Sequence, residues 1–511
     1  MQSTNRFEFI APDDSESPVS ETTFSPFVLQ QQARRTCLEY FDSFDWLLFR
    51  KGYRLEYSPE ECLARLISAE GREISVQSMP GTPPADWRQW PQGSVKRLLA
   101  PVMGPRLLER LSGLSGESTV QNVLNEDEKT VCRVASERWR RGDESGTENP
   151  PPLTLRVFPM RGWEDETVVV TRRLKKQGFR RVKVDSFGRS LEGSGRVPLD
   201  YPRPYPPAFD ARHSSIHDVS VKVLSHLLVD LKLNTPGACA GEDIEYLHDY
   251  RVAMRRMRSL LAVTSGVFDS GETGFLADEL KQLGRLTGEN RDFDVFHLEL
   301  IDSAGSLGLD DEAHINELIA YVSDRRKQSG RQFADHIASA EYREFLQRFE
   351  SFLSNPKPGS KADMPVRKFA DAQIWRLYRQ IRKAGLRINK HSDDEQLHWL
   401  RRRGKRLRYA IEFFSSAYPS RKLKLCQGYL KKLQNVLGDF QDQCVQIEHL
   451  ELIASVASEL GLDQGRIEEH VAQRRRNKKQ LRKKFQALFA EFSDKAHYKA
   501  YESLFKRGKK R

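Results

Sequence analysis

The chain has 511 residues, of which 38% are hydrophobic and 30% charged, a composition typical of charge-rich globular proteins with two to four domains. It contains no apolar run long enough to span a bilayer and no basic segment followed by an apolar stretch at its N-terminus, so it predicts neither a membrane span nor a secretory signal. The six cysteines are widely scattered, which favours free thiols in a reducing cytoplasm over disulfides or a structural zinc.

The net charge of +12 is unevenly distributed. Residues 1–200 hold 29 basic and 29 acidic residues, whereas residues 201–511 hold 54 and 42. The second part therefore carries the whole positive surplus. A basic field confined to one part of a chain indicates an anionic partner, such as nucleic acid, polyphosphate or an acidic surface.

Residues 1–200 predict an α+β domain. The stretches "LTLRVF" (153–158) and "TVVVT" (167–171) are short alternating apolar stretches, which favours strands. Turn-rich segments separate such stretches. Five prolines in residues 195–210 then indicate a linker, which we place at 201–210.

The rest of the chain predicts an all-α domain, because apolar residues recur at three- and four-residue spacing with few helix breakers. A second break, "SNPKPGSKADMP" (354–365), divides this region near its middle. We therefore expect two helical units, 211–355 and 363–511.

The two helical units are copies of one another. At a fixed offset of 150, "EYLHDYRVAMRRMR" (245–258) matches "EQLHWLRRRGKRLR" (395–408), and "LKQLGRLTGENRD" (280–292) matches "LKKLQNVLGDFQD" (430–442). Residues 245–292 contain 13 identities in 48 positions, where ordinary composition would give about three. The helical region is an internal duplication.

Each copy carries a stripe of basic residues on one helix face, since residues three and four apart are neighbours on a helix. The stripe residues are His248, Arg251, Arg255 and Arg258 in the first copy, and His398, Arg401, Lys405 and Arg408 in the second. The helix before the second stripe adds Arg376, Arg379 and Lys383 on one face. Its opposite face, with Ile374, Tyr378 and Ile381, is predicted to pack in the core.

Such stripes have two interpretations. A solvated helix face would carry acidic partners four residues from its basic groups. Here the basic residues neighbour one another, and this repulsion is tolerable if an external polyanion neutralises it. Arg256 and Arg406 point elsewhere, and we expect them to pair with Asp292 and Asp442. Hydrolysis of a phosphate chain is not favoured, because the stripes lack the carboxylates that would hold magnesium.

The paired "LHxxRxxxRRMR" and "LHxxRxxxKRLR" blocks, each followed by "LKxL…G…D", resemble the conserved histidine α-helical domain, CHAD. The resemblance covers roughly 211–511. It implies two antiparallel helical bundles related by a pseudo-twofold axis, with basic surfaces that bind inorganic polyphosphate and associate with polyphosphate granules. It carries the binding role to the eight stripe residues. We add Lys281, Arg376, Arg379, Lys383 and Lys431 to the candidate site. Gly404 lies inside a basic helix, a position where glycine is not expected.

The segment "YFDSFDWLLFRKGYRLEY" (40–57) is similar to a segment of the CYTH family of tunnel-shaped triphosphatases, with Tyr40, Asp42, Leu48, Gly52 and Leu55 fitting. The catalytic pattern does not fit. Glu56 and Ser58 stand where that family has two cations, and its Glu-x-Glu-x-Lys signature would fall on Arg6, Glu8 and Ile10. The resemblance therefore implies a scaffold without triphosphatase activity.

The sequence as a whole predicts a non-enzymatic, cytoplasmic polyphosphate-binding protein with no metal or cofactor. Granule-associated proteins are further expected partners, and no membrane is. Two alternatives stay open, a residual triphosphatase in residues 1–200 and a nucleic-acid-binding module. The second alternative would also use the basic run "QRRRNKKQLRKKF" (473–485), which surrounds its helix and is in part a solvated face.

Overall fold

The computed structural model describes residues 7–11, 28–141, 153–182, 185–192, 194–201, 205–303, 312–389, 391–458 and 464–506. The chain divides into two compact units, Met1–Arg203 and Pro204–Arg511. In the described part of the chain, no helix is both long and apolar enough to cross a membrane.

The N-terminal unit is built on one antiparallel sheet. Its nine strands are β1 (Phe7–Ile10), β2 (Val28–Asp42), β3 (Tyr53–Ser58), β4 (Leu63–Ser68), β5 (Glu73–Ser78), β6 (Glu109–Leu124), β7 (Thr130–Arg141), β8 (Leu153–Pro159) and β9 (Arg180–Arg181). They lie in the order β5-β4-β3-β2-β6-β7-β8-β1-β9. The long pair β2 and β6 forms the centre, with Val28 opposite Leu124 and Asp42 opposite Glu109.

Among the described residues, four α-helices accompany the sheet: α1 (Leu47–Arg50), α2 (Ser94–Met103), α3 (Glu164–Lys176) and α4 (Ser186–Leu191). The prediction of a strand at 153–158 is confirmed by β8, but the prediction at 167–171 is wrong, since "TVVVT" lies in α3. The physical reason is the wider pattern. Acidic residues fill the first turn of this helix and basic ones the last, and Thr167, Val170 and Leu174 are buried at helical spacing.

The C-terminal unit is entirely helical in its described residues, and its helices repeat. The first copy has α5 (Ile216–Ala240), α6 (Ile244–Val263), α7 (Ser270–Ser303), α8 (Glu312–Ala338) and α9 (Ala340–Ser354). The second has α10 (Val366–Gly385), α11 (Asp394–Phe413), α12 (Ser420–Val456), α13 (Gln464–Phe492) and α14 (Lys495–Phe505). Each of the first three helices of the first copy begins 150 residues before its counterpart in the second copy. This is the same offset at which the sequence identities occur.

A reciprocal pair of hydrogen bonds shows how the two copies are related. The Ile216 amide donates to the Met364 carbonyl at 2.9 Å, and the Val366 amide donates to the Ser214 carbonyl at 3.2 Å. At an offset of 150 the two donors are equivalent positions, and so are the two acceptors. Such an exchange between equivalent residues is the signature of a twofold axis, so the predicted pseudo-twofold relation is confirmed.

The two copies share one hydrophobic core. Leu247, Met254 and Met257 from the first copy and Ile374, Tyr378 and Ile381 from the second belong to the same buried cluster. The helix α6 also contacts its equivalent α11 directly. The second break in the sequence lies between α9, which ends at Ser354, and α10, which begins at Val366. It separates two halves of one helical body.

Candidate functional site

The contact between α6 and α11 brings basic residues of both copies together. The central cluster consists of Arg251 and Arg255 on α6 and of Arg401, Lys405 and Arg408 on α11, all half-buried. The amphipathic pattern of these helices sets this arrangement. Buried Met254, Met257 and Leu407 hold the helices against the core, which turns the charged stripe outwards beside the helix–helix contact.

Lys405 shows how closely these cations lie. Burial and the positive charges of Arg401, Arg255 and Arg408 together lower the pKa of Lys405 to about 7. Arg255 belongs to the other copy and is the position equivalent to Lys405. The two stripes therefore meet across the pseudo-twofold axis.

The arginines of the central cluster are affected in the same sense. Burial and the neighbouring charge of Arg255 lower the pKa of Arg251 to about 10, and Arg251 Nη1 donates to Thr287 Oγ1 at 2.8 Å. Burial also lowers the pKa of Arg401, although the carboxylates of Asp442 and Asp292 oppose this shift. The Nε groups of Arg255 and Arg401 are buried and have no hydrogen-bond partner among the described residues. Buried unpaired donors of this kind are costly unless an acceptor reaches them.

The expected pairing of Arg256 with Asp292 and of Arg406 with Asp442 is wrong. Asp292 interacts with Arg251 and Arg401, and Asp442 with Arg401 and Lys405. Arg256 instead lies 3.8 Å from the Glu412 carboxylate and 3.9 Å above the Tyr205 ring. The two aspartates thus partly neutralise the central cluster, since their positions on α7 and α12 face the α6–α11 contact.

The remaining candidate residues lie around this cluster. Arg258 is exposed on α6, and its guanidinium packs over Gly284 of α7. Arg376 on α10 is exposed and lies near Arg406, whereas Arg379 lies near Lys506 at the end of α14. Three further candidates are exposed lysines: Lys281, Lys383 and Lys431. No contact described in the structure joins these lysines to the central cluster.

The two stripe histidines are half-buried. His398 Nδ1 lies 2.5 Å from Gln441 Oε1. Its ring lines a separate cavity of about 460 Å³, together with Asp394, Cys444 and Lys478. The structure therefore places His398 at the side of the central cluster and not within it.

Three residues of the basic run on α13 form ion pairs with the protein itself. Lys478 Nζ lies 2.6 Å from the Asp394 carboxylate, Arg482 pairs with the same carboxylate, and Arg475 lies 2.7 Å from Glu451. Arg476, Lys479, Lys483 and Lys484 are exposed. This distribution fits a solvated and structural face.

In the N-terminal unit, the residues that resemble the CYTH family have structural roles. The Asp42 carboxylate accepts the Leu48 and Phe49 amides at 2.8 Å each and so caps α1, and burial raises its pKa to about 6. Tyr40 and Leu55 are buried, and Gly52 adopts a positive φ of 76°. These positions shape the fold, and their presence does not require catalysis.

The acidic residues of the same unit are engaged by arginines. Arg156 is buried between Glu137, to which it forms a bidentate pair, and Glu56 at 3.7 Å. The Glu8 carboxylate accepts the Ser186 amide at 2.9 Å and the Ser186 hydroxyl at 2.8 Å. Of the signature positions, Arg6 lies outside the described residues. No group of three metal-ligating side chains occurs among the residues that the structure describes.

The comparisons with known proteins agree with the sequence reading of the helical unit. Residues 222–451 match the CHAD domain family. Two uncharacterized proteins of Mycobacterium tuberculosis are each 30% identical over 272 residues, which are 51% of this chain and 48% of theirs. The chain thus spans about half the length of the curated relatives it matches.

Two solved structures are similar to parts of this chain. A CHAD domain from the plant Ricinus communis has a TM-score of 0.46 and 23% identity, covering 55% of this chain and 94% of its own. A Hippeastrum protein, assigned as an adenylyl cyclase with a dominant triphosphatase activity, has a TM-score of 0.22 and 12% identity and covers 39% of this chain and 99% of its own. The predicted CHAD resemblance is confirmed over 222–451, as is the α+β unit followed by an all-α unit.

Proposed function

We propose that this protein binds inorganic polyphosphate at the central cluster. The observation that supports the proposal is the meeting of Arg255 with Arg401 and Lys405 across the pseudo-twofold axis, which places cations of both copies beside one another. A linear polyanion with about one charge per phosphate would neutralise this repulsion and release its own counterions. Arginine adds two parallel hydrogen bonds to non-bridging phosphate oxygens.

The test is binding of a fluorescent medium-chain polyphosphate to the full chain across a salt series. The cluster variant carries Arg255→Gln, Arg401→Gln, Lys405→Gln and Arg408→Gln. A matched control also removes four positive charges, but from α13, at Arg476, Lys479, Lys483 and Lys484. We expect the cluster variant to bind at least about 100-fold more weakly, with a salt slope smaller by about 3, because each lost phosphate contact removes about 0.7 from that slope.

The control should stay within about 3-fold of the wild type, since the removed charges lie outside the cluster and only long-range attraction is lost. Equal losses in both variants would show non-specific attraction to a basic protein and would refute the proposal. A nucleic-acid-binding module is the main alternative, and it would be supported if RNA of matched charge displaced polyphosphate at equal concentration. Stacking surfaces for bases are scarce at the cluster, because Tyr409 is buried and the Trp399 ring already faces Arg403 at 5.1 Å.

The proposal includes a location. Polyphosphate granules would present the same polyanion at high local density, and the chain would associate with them in the cytoplasm. A fluorescent fusion should coincide with stained granules, while the cluster variant should not. Coincidence of the cluster variant with granules would point to recruitment by granule-associated proteins.

We further propose that the N-terminal unit has no triphosphatase activity. The support is that Arg156 pairs with Glu137 and lies 3.7 Å from Glu56, and that the Glu8 carboxylate accepts a hydrogen bond from the Ser186 amide. A catalytic metal would require free carboxylates. We expect no release of phosphate from tripolyphosphate with magnesium or manganese. Metal-dependent release that Glu8→Gln abolishes would establish the enzyme instead.

A further inference from the structure

The two ends of the α6–α11 contact are equivalent by the pseudo-twofold axis but differ in charge. At one end Arg256 of α6 lies near Arg408 of α11, and both contact the carboxylate of Glu412. At the other end the equivalent residues are Arg406 and Arg258. The position equivalent to Glu412 is Ala262, an exposed residue near the end of α6. The same pair of arginines thus has a carboxylate at one end and a methyl group at the other.

A second acidic position follows the same pattern. Asp230 on α5 lies among the charged groups around Tyr205, together with Arg256 and Glu412. Its equivalent on α10 is Gln380, whose side chain oxygen accepts from Arg403 at 3.5 Å. Both carboxylates of the first end are therefore replaced by uncharged residues at the second.

The Tyr205 side chain also covers the first end. The Tyr205 ring packs over the Arg256 guanidinium at 3.9 Å and edge-on against Phe413 at 6.4 Å. Arg256 and Glu412 have side chains only 25% and 24% exposed. We call this end, with Arg256, Glu412 and Tyr205, the closed end.

The second end collects cations without carboxylates. Burial and the charges of Arg403, Arg376 and Arg258 lower the pKa of Arg406. Arg376 and Arg403 have no arginine or lysine counterpart at the closed end, where the equivalent positions are His226 and Ala253. Among the described residues, no carboxylate pairs with any of these four arginines. We call this set the open end.

We infer that the polyphosphate site is one-ended: the chain of phosphates continues from the central cluster over the open end and stops at the closed end. The inference rests on the proposed function and adds Arg403 and Arg406 to the binding residues. Four guanidinium groups attract a phosphate chain, whereas the Glu412 carboxylate, 3.8 Å from Arg256, repels it.

The test moves one carboxylate from one end to the other. The relocation variant carries Ala262→Glu and Glu412→Ala and has the net charge of the wild type. Polyphosphate affinity is measured for the wild type and for the relocation variant, each with either Arg406→Gln or Arg256→Gln. In the wild type we expect Arg406→Gln to weaken binding about 3- to 10-fold, because a contact with phosphate is lost. We expect Arg256→Gln to change binding less than 2-fold, because Arg256 makes no such contact.

In the relocation variant, Arg406→Gln should weaken polyphosphate binding less than it does in the wild type. The reason is that the carboxylate introduced at position 262 would pair with Arg406 and Arg258. Ala262→Gln is the control for side-chain size, and it should leave the affinity of the wild type within about 2-fold, since it adds no charge. Equal sensitivity to Arg406→Gln and Arg256→Gln in the wild type would overturn the inference while leaving polyphosphate binding itself intact. Failure of the wild type to bind polyphosphate would instead refute the proposed function.

Discussion

Two charged groups, one in each unit, differ in the charges that surround them. Arg156 in the N-terminal unit lies between two carboxylates, those of Glu137 and Glu56. Lys405 in the C-terminal unit lies among Arg401, Arg255 and Arg408, with Asp442 as an opposing charge. The first site balances its cation with carboxylates of the protein itself. The second retains an excess of positive charge, so an external anion would lower its free energy.

The largest expected effect comes from removing Arg156. We expect Arg156→Leu to reduce the free energy of unfolding of the N-terminal unit by about 3–5 kcal/mol, because two buried carboxylates lose their partner. Denaturant unfolding followed at neutral pH measures this loss. The loss should shrink at low pH, where the carboxylates are protonated. A change below about 1 kcal/mol would show that these acids are not neutralised by Arg156.

Removing Lys405 should change the free energy of unfolding in the opposite direction. We expect Lys405→Met to raise the free energy of unfolding by about 0.5–2 kcal/mol, since it relieves desolvation and like-charge repulsion. The same variant should bind polyphosphate about 10-fold more weakly at pH 6, where Lys405 is charged, because a charged phosphate contact is lost. Thermal unfolding and binding measured on one preparation would show both effects. Lower stability of the variant would mean that Lys405 is held by favourable contacts, as Arg156 is.

The smallest expected effect is a dependence of polyphosphate affinity on pH. Since the pKa of Lys405 is lowered to about 7 in the empty protein, a bound polyanion raises it and binding takes up a proton. Affinity should therefore fall several-fold between pH 6 and pH 8, up to about 10-fold per proton and pH unit. Stability of the empty protein should change the other way and rise with pH above about 7, because the unfolded chain binds that proton more tightly.

Lys405→Arg separates this effect from others, because guanidinium stays charged across the range. Isothermal titration in buffers of different ionisation enthalpy counts the proton directly. A pH profile that Lys405→Arg leaves unchanged would assign the titration to another group, such as the stripe histidines or the ligand.

Gly404 shows why some features could not be predicted from one sequence. It is equivalent to Met254, and its carbonyl accepts from Gln434 Nε2 at 2.5 Å. Gln434 is equivalent to Gly284, where an added Cβ atom would lie 2.9 Å from the Arg258 guanidinium and 3.7 Å from the Met254 side chain. Each copy thus pairs one large residue with one glycine, in opposite order. The match lies between residues 30 positions apart, and only packing reveals it.

The sequence by itself determined the two-unit organisation, the duplication, the helical stripes and the residues that could bind an anion, because periodicity and identity at a fixed offset are local properties of the chain. It did not determine how α6 and α11 pack, or that Asp292 and Asp442 serve the stripes while Arg256 turns to Glu412. Those pairings depend on distances between segments far apart in sequence. Only the tertiary structure decided them, because burial and charge act through space and not along the chain.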